Sequence, residues 1–251
     1  MIKLGSRVQS SPELVTVLQR MWSTRPGSFC IVHGGGDEIS SLQKQLGREP
    51  SFVNGRRITT ADDMELVRMV LSGSANKRLV SALGAAGVPA VGVSGEDGGL
   101  LAAEPIDVEK FGRSGKPTTV RVELIETLLA SRFLPVISPV ARDATSRDGE
   151  ALNVNGDDAA GALAAAMGAE LWLVADVPGV MDEHRNVLPS LDPARMESLV
   201  ATGTVNRGML AKLEAGFAAL AAGASSVRIA GLKGLSEKDA GTLLSPTTGT
   251  A

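Results

Sequence analysis

Short apolar runs alternate along the chain with longer stretches whose apolar residues recur every three or four positions. Residues 1–4, 29–32, 88–93, 133–137, 171–175 and 226–230 predict strands. Residues 13–21, 37–46, 120–129, 157–167 and 209–222 predict helices. In the first of these, Leu14, Val17, Leu18 and Met21 share one helical face. Asn54-Gly55, between Phe52-Val53 and Arg57-Ile58, is a hairpin signal. Thr60 is placed to cap a helix whose first turn carries Asp62 and Asp63. Strand–helix–strand alternation predicts the α/β class, a three-layer α/β/α sandwich with a mainly parallel central sheet. Right-handed crossovers follow. Residues 113–119 and 142–149 are polar and turn-rich and predict exposed loops. No long linker or fixed-period repeat interrupts the pattern, so 1–251 reads as one unit with two lobes meeting near residue 165.

Composition narrows the function classes. Of 251 residues, 43% are hydrophobic and 21% charged, which excludes disorder as the main state. The net charge of −3 gives no electrostatic basis for binding nucleic acid or an anionic membrane. Glu170 and Asp176 interrupt the most apolar stretch, 159–180, so no bilayer span is expected. Cys30 is the one cysteine, and His33 and His184 are the two histidines, so no disulfide framework or zinc cluster is expected and no metal site is assigned. The N-terminal segment lacks an apolar signal region, and a cytoplasmic location is expected. Glycine is abundant, at 29 residues, while aromatics are 3% with no tyrosine. That balance suits backbone approaching phosphate and gives few platforms for stacking bases.

Phosphate-loop, dinucleotide and nucleophile-elbow signatures are absent. Gly115-Lys116 lacks the upstream glycine and is followed by Pro117. Four other features carry chemistry. Lys3 sits in an apolar strand before Gly5-Ser6, either covering apolar surface with its stem or aimed at a phosphoryl group. His33-Gly34-Gly35-Gly36 joins a strand to a helix, forming either a turn that needs positive φ or an anion site of free N–H groups. In Asn153-Val154-Asn155-Gly156-Asp157 an extended backbone puts both asparagines on one face. Asn155 or Asp157 can also cap the following helix. Lys212 follows Asn206-Arg207-Gly208 near the start of an apolar helix, where the macrodipole disfavours a cation. It is either a solvated lysine or a functional one.

These stretches occur together, in order, with others: Ile2-Lys3-Leu4-Gly5, residues 32–36, Val53 to Thr59, Asn76-Lys77 and residues 91–99, 152–161, 173–182 and 208–212. The set resembles the amino acid kinase family, and within it the branch that acts on acylated glutamate. The Asn-Gly-x-Arg-x-Thr and Asn-x-Asn-x-Asp segments are the most specific to that branch.

The resemblance implies that ATP phosphorylates the side-chain carboxylate of N-acetyl-L-glutamate, a step of arginine synthesis. Residues 1–165 would bind the acyl amino acid and 166–251 the nucleotide. Lys3 and Lys212 would stabilise the transferring phosphoryl group, with Asp157 holding both. N–H groups at Gly5, Ser6, Gly35 and Gly36 would meet phosphate and the reacting carboxylate. Arg57 would pair with the substrate α-carboxylate, and Asn153 with Asn155 would anchor its polar end. Asp176, Val177, Pro178, Gly179, Val180 and Met181, with Thr204, Val205 and Asn206, would line the nucleotide site. Mg²⁺ would be held mainly by ATP oxygens and water.

The family usually has a second glycine where Ser6 stands, and positive φ there would strain a serine by order 1 kcal/mol. A basic cluster of Arg113, Lys116, Arg142 and Arg147 would suit relatives that phosphorylate a carrier-linked aminoadipate or glutamate, and an enzyme accepting acetylaminoadipate beside acetylglutamate is a milder variant. A non-catalytic amino-acid sensor is the reading from another class. Arginine-inhibited members carry an extra N-terminal helix, for which this chain has no room, so an arginine-insensitive homodimer with residues 62–71 at its surface is expected.

Overall fold

Lys3 lies on a strand only three residues long, Ile2–Leu4, and all three residues are buried. The computed structural model describes residues 1–53, 55–237 and 239–246. Among these, eight strands form the main sheet in the order Ser190–Leu191, Thr242–Leu244, Ser226–Gly231, Glu170–Ala175, Ile2–Leu4, Ile31–His33, Leu134–Ser138 and Ala90–Ser94. Neighbours run parallel except Ser226–Gly231 against Thr242–Leu244. The register pairs Leu4 with both His33 and Val174. Gly5, Gly34 and Ala175 therefore emerge side by side at the carboxyl ends of adjacent strands, with Asp176 one residue beyond, where open α/β sheets bind their ligands.

Adjacent residues on each strand enter opposite cores because strand side chains alternate. Leu173, Val32 and Ile137 pack on one face with the helices Gly156–Ala166 and Arg207–Ala222. Val174, Ile31 and Val136 pack on the other with Leu14–Thr24 and Asn76–Ala85. The predicted three-layer arrangement is thus present. Small residues set the spacing on the first face. A Cβ on Gly161 would lie 3.1 Å from that of Ala219, so these two helices approach closely. That approach brings Lys212 to Asp157.

A second unit departs from the sequence reading. Leu101–Pro105, Ser114–Val120, Val140–Asp143 and Ala151–Val154 close into a small barrel. Residues 113–119, expected as an exposed loop, mostly form a barrel strand in which Ser114 and Gly115 are buried. The expected 142–149 loop begins inside another strand. Ser114–Val120 reads as loop because it carries Gly115 and Pro117. Pro117 pairs with Ala103, where the register slips, a place that tolerates a missing N–H. The helix expected from residue 120 accordingly starts at Glu123.

Phe52–Val53 and Arg56–Arg57 form the predicted hairpin, whose turn residue Asn54 lies outside the described residues. Thr60 caps Ala61–Arg68 in a reciprocal box with Asp63. The helix then widens into a π-type turn, Met69–Ala75, before Asn76–Ala85. That turn sets Leu71 against Gly35, where an added Cβ would come within 2.6 Å of the leucine.

Candidate active site

Lys3, Asp157 and Lys212 are 8%, 8% and 9% exposed, so three charges share one dry position. Lys3 Nζ lies 2.8 Å from Asp157 Oδ1, and Lys212 Nζ donates to both carboxylate oxygens at 3.0 Å. Burial pushes the Asp157 carboxyl up, but the two ammonium groups outweigh it and hold the group well below the usual range. Burial and then the Lys3 charge pull Lys212 down, against the attraction of Asp157. The cluster is an ion triad with one net positive charge, as expected from the pairing of these residues. Gly156 precedes Asp157 for a spatial reason, since a Cβ there would meet Lys3 Cε at 3.1 Å.

Lys3 and Asp157 line a cavity of about 190 Å³ together with Ser6, Gly34 to Gly36, Arg57 and Asn153 to Gly156. Arg57 is 7% exposed. Its guanidinium donates to Gln43 Oε1, to the Gly36 carbonyl at 2.7 Å and to Ser40 Oγ at 2.8 Å, and it lies over the Phe52 ring. All four partners are neutral. Among the described residues no carboxylate comes within ion-pair distance of it, and burial draws the guanidinium below its ordinary value. A buried cation with no carboxylate in direct contact, drawn only at longer range by Asp63 and Asp37 and facing a cavity, is a site for an anionic ligand. Gln43 and Ser40 escaped the sequence reading. They sit on the helix after the triglycine, three residues apart and so on one face.

The glycine-rich turns are arranged differently from expectation. The Gly5 N–H donates to the Val174 carbonyl at 3.1 Å, and the Gly36 N–H to Ser6 Oγ at 3.2 Å, so neither is spare. The Gly35 N–H has no acceptor among the described residues. None of the three glycines needs positive φ; they keep two loops close, with a Cβ on Gly34 meeting Ser6 Oγ at 3.2 Å. Ser6 opens the short helix Ser6–Gln9 and does not have positive φ, so the anticipated strain is absent.

Asn153 and Asn155 both line the cavity. Asn153 donates to Thr59 Oγ1 at 3.0 Å, while Asn155 accepts from the Asp157 N–H at 2.8 Å as a helix cap. Of the residues expected at the nucleotide, Ser6 lines this cavity, whereas 176–181 and 204–206 lie outside it. Asp176 pairs with Arg7 at 2.8 Å, which lowers its carboxyl. Val177 and Pro178 pass beside Gly231, Gly179 packs tightly against Val187 and Thr242, and Val180 is buried with its N–H on Thr242 Oγ1. Met181 bridges to Val187. Thr204 and Val205 donate their N–H groups to the Leu199 carbonyl, and Asn206 caps Arg207–Ala222 through Met209. Asp176 still acts electrostatically on Lys212, which ties this segment to the triad.

Arg113 is not a free basic group. It pairs with Asp143 at 3.3 Å and with Glu150. Among the described residues no group of three or more His, Cys, Asp or Glu side chains is placed to hold a metal, and no helix is long and apolar enough to cross a membrane.

A profile described as the amino acid kinase family matches residues 1–231. An acetylglutamate kinase of Chloroflexus aurantiacus is 48% identical over 208 residues, 82% of this chain and 81% of the relative. One from Chloroflexus aggregans is 41% identical over 244 residues, 96% and 94% of the two chains. The solved structure of smu.665 from Streptococcus mutans UA159 superposes with a TM-score of 0.85 at 28% identity, covering 98% of each chain.

Proposed function

The chain belongs to the amino acid kinase family, and from that premise we propose that it is an acetylglutamate kinase, transferring the γ-phosphoryl group of ATP to the side-chain carboxylate of N-acetyl-L-glutamate in arginine biosynthesis. One observation carries the choice of substrate. A buried Arg57 with only neutral partners faces the same cavity as the Lys3–Asp157 pair. A dianion with one carboxylate for Arg57 and another for the triad fits that arrangement. The relatives named acetylglutamate kinase support the same reading.

In the proposed reaction a side-chain carboxylate oxygen attacks the γ-phosphorus, and the bond to the β-phosphate oxygen breaks. The products are an acyl phosphate and ADP. No general base is required, because the nucleophile is ionised near neutral pH. Catalysis then consists of holding two anions in line and neutralising their charge. Lys3 and Lys212 take that role, and Asp157 fixes both ammonium groups. Arg57 binds the α-carboxylate, Asn153 and Asn155 border the acyl end, and the Gly35 N–H contacts the reacting group. The 176–181 and 204–206 segments, with Ser6, form the nucleotide side. Both oxygens of Asp157 are engaged by ammonium groups, so this carboxylate would not hold Mg²⁺, which would come with ATP and supply neutralisation of phosphate charge.

Residues 1–165 form the acyl-amino-acid lobe and 166–251 the nucleotide lobe in this reading. We place the enzyme in the cytoplasm as a homodimer with the Ala61–Arg68 helix at its interface; a monomer in small-angle scattering would refute that assembly. The pairing of Arg113 with two carboxylates weakens the case for an acidic carrier partner.

A hydroxamate trap for acyl phosphate tests the function, with Mg-ATP and N-acetylglutamate, N-acetylaminoadipate or free glutamate. Turnover of N-acetylglutamate above the others is expected. Failure to turn it over, or preference for the longer substrate, overturns the reading.

A further inference from the structure

The triglycine turn is held from behind by side chains outside the proposed machinery. His33 is fully buried, and its Nδ1 lies 2.9 Å from the Gly34 carbonyl. Gln9 Nε2 donates to the same carbonyl at 3.0 Å. On the other side of the ring, Asn76 Nδ2 lies 3.1 Å from His33 Nε2 and 2.9 Å from the Val136 carbonyl. Both carbonyls can only accept. The asparagine nitrogen therefore faces Val136, and the histidine hydrogen sits on Nδ1. Nε2 is left as the acceptor for Asn76, which fixes a neutral ring.

A trans peptide points its C=O and N–H in opposite directions. Two donors holding the Gly34 carbonyl thus also fix the direction of the Gly35 N–H, the donor that finds no acceptor among the described residues. The arrangement is kept at a cost. Asn76 Oδ1 is buried without a partner among the described residues, a desolvation loss that an apolar side chain would avoid. Gly92 makes room for it, since a Cβ there would fall 1.9 Å from that oxygen. Two positions are thus committed to a group that does not serve stability.

We propose that Gln9, His33 and Asn76 are positioning residues that aim the Gly35 N–H at the reacting group. This rests on the kinase reading above. Wild-type turnover of N-acetylglutamate tests that reading alone. On the active enzyme, Asn76→Leu and Gln9→Met should lower kcat about 10- to 100-fold while KM for each substrate stays within about threefold, a smaller loss than deleting an oxyanion donor outright. His33→Asn keeps a donor where Nδ1 lies and should retain more activity than His33→Phe. Unchanged kcat in both Asn76→Leu and Gln9→Met overturns the inference and leaves the functional reading standing. The same device is read without turnover. Nitrogen-15 spectra between about pH 6 and 8 should show hydrogen on Nδ1 and none on Nε2 of His33, and the Gly35 amide cross-peak should shift in Asn76→Leu. Hydrogen on Nε2, or an unmoved cross-peak, overturns the inference whatever the enzyme turns over.

Discussion

Arg57 and Asp176 are both charged, both expected to meet a substrate, and held in opposite ways. Arg57 is buried and fixed by Gln43, Ser40, Gly36 and the Phe52 ring, with no carboxylate among the described residues in direct contact and Asp63 and Asp37 acting only at longer range. Asp176 is exposed and already paired with the exposed Arg7. The contrast extends to their surroundings. Asn153 reaches across to Thr59, 94 residues away, whereas Asn206 bonds within its own helix start and Thr204 Oγ1 meets Thr202 Oγ1. One side of the site is rigid before substrate arrives. The other is made of short-range bonds, and in the proposed function it is the side over which the lobes would close on the nucleotide.

Disturbing the triad gives the largest expected effect. Lys212→Ala should reduce turnover by about 10³ or more in the hydroxamate assay. Asp157→Ala leaves two buried ammonium groups without their counter-ion and should cost about 3–5 kcal/mol in urea unfolding. Next comes Arg57→Lys, which loses the planar fork and should raise KM for N-acetylglutamate about 100-fold with KM for ATP within about threefold. An equal rise in both would erase the contrast between the two sides. Asn206→Ala should cost about 1 kcal/mol as a lost cap. Arg7→Ala should leave the urea midpoint in place.

Acid unfolding sharpens the same point. The folded Asp157 carboxyl lies below its unfolded value of about 3.9. Its contribution is full above the unfolded value and is lost as pH falls below about 4. In Asp157→Asn the urea midpoint should vary less over that window than in the wild type.

Much of this was legible in the sequence. Most of the central parallel strands were, because they are short apolar runs, several of them ending at glycine or a charged residue; Ser190–Leu191 and Thr242–Leu244 at one end of the sheet were not. Lys3 and Lys212 stood out, a lysine in an apolar strand and another at a helix start, but those signals left a bland reading open, and only the family resemblance joined them to Asp157. The barrel was hidden because Ser114–Val120 carries serine, glycine and proline and the other strands are short, so that only pairing with distant partners makes them extended. Gln43 and Asn76 were hidden because an amide on a helix looks like surface until the fold buries it.

The central position of Ile2–Leu4 also bears on how the chain is made. Ile2 pairs with Trp172, about 170 residues further along. At roughly 5–20 residues per second, the ribosome takes about 10–35 s to deliver that neighbour. Until then the strand that bears Lys3 has an open edge on one side. Nascent chains of this protein should therefore depend on a chaperone that shields that edge until the other half of the sheet emerges.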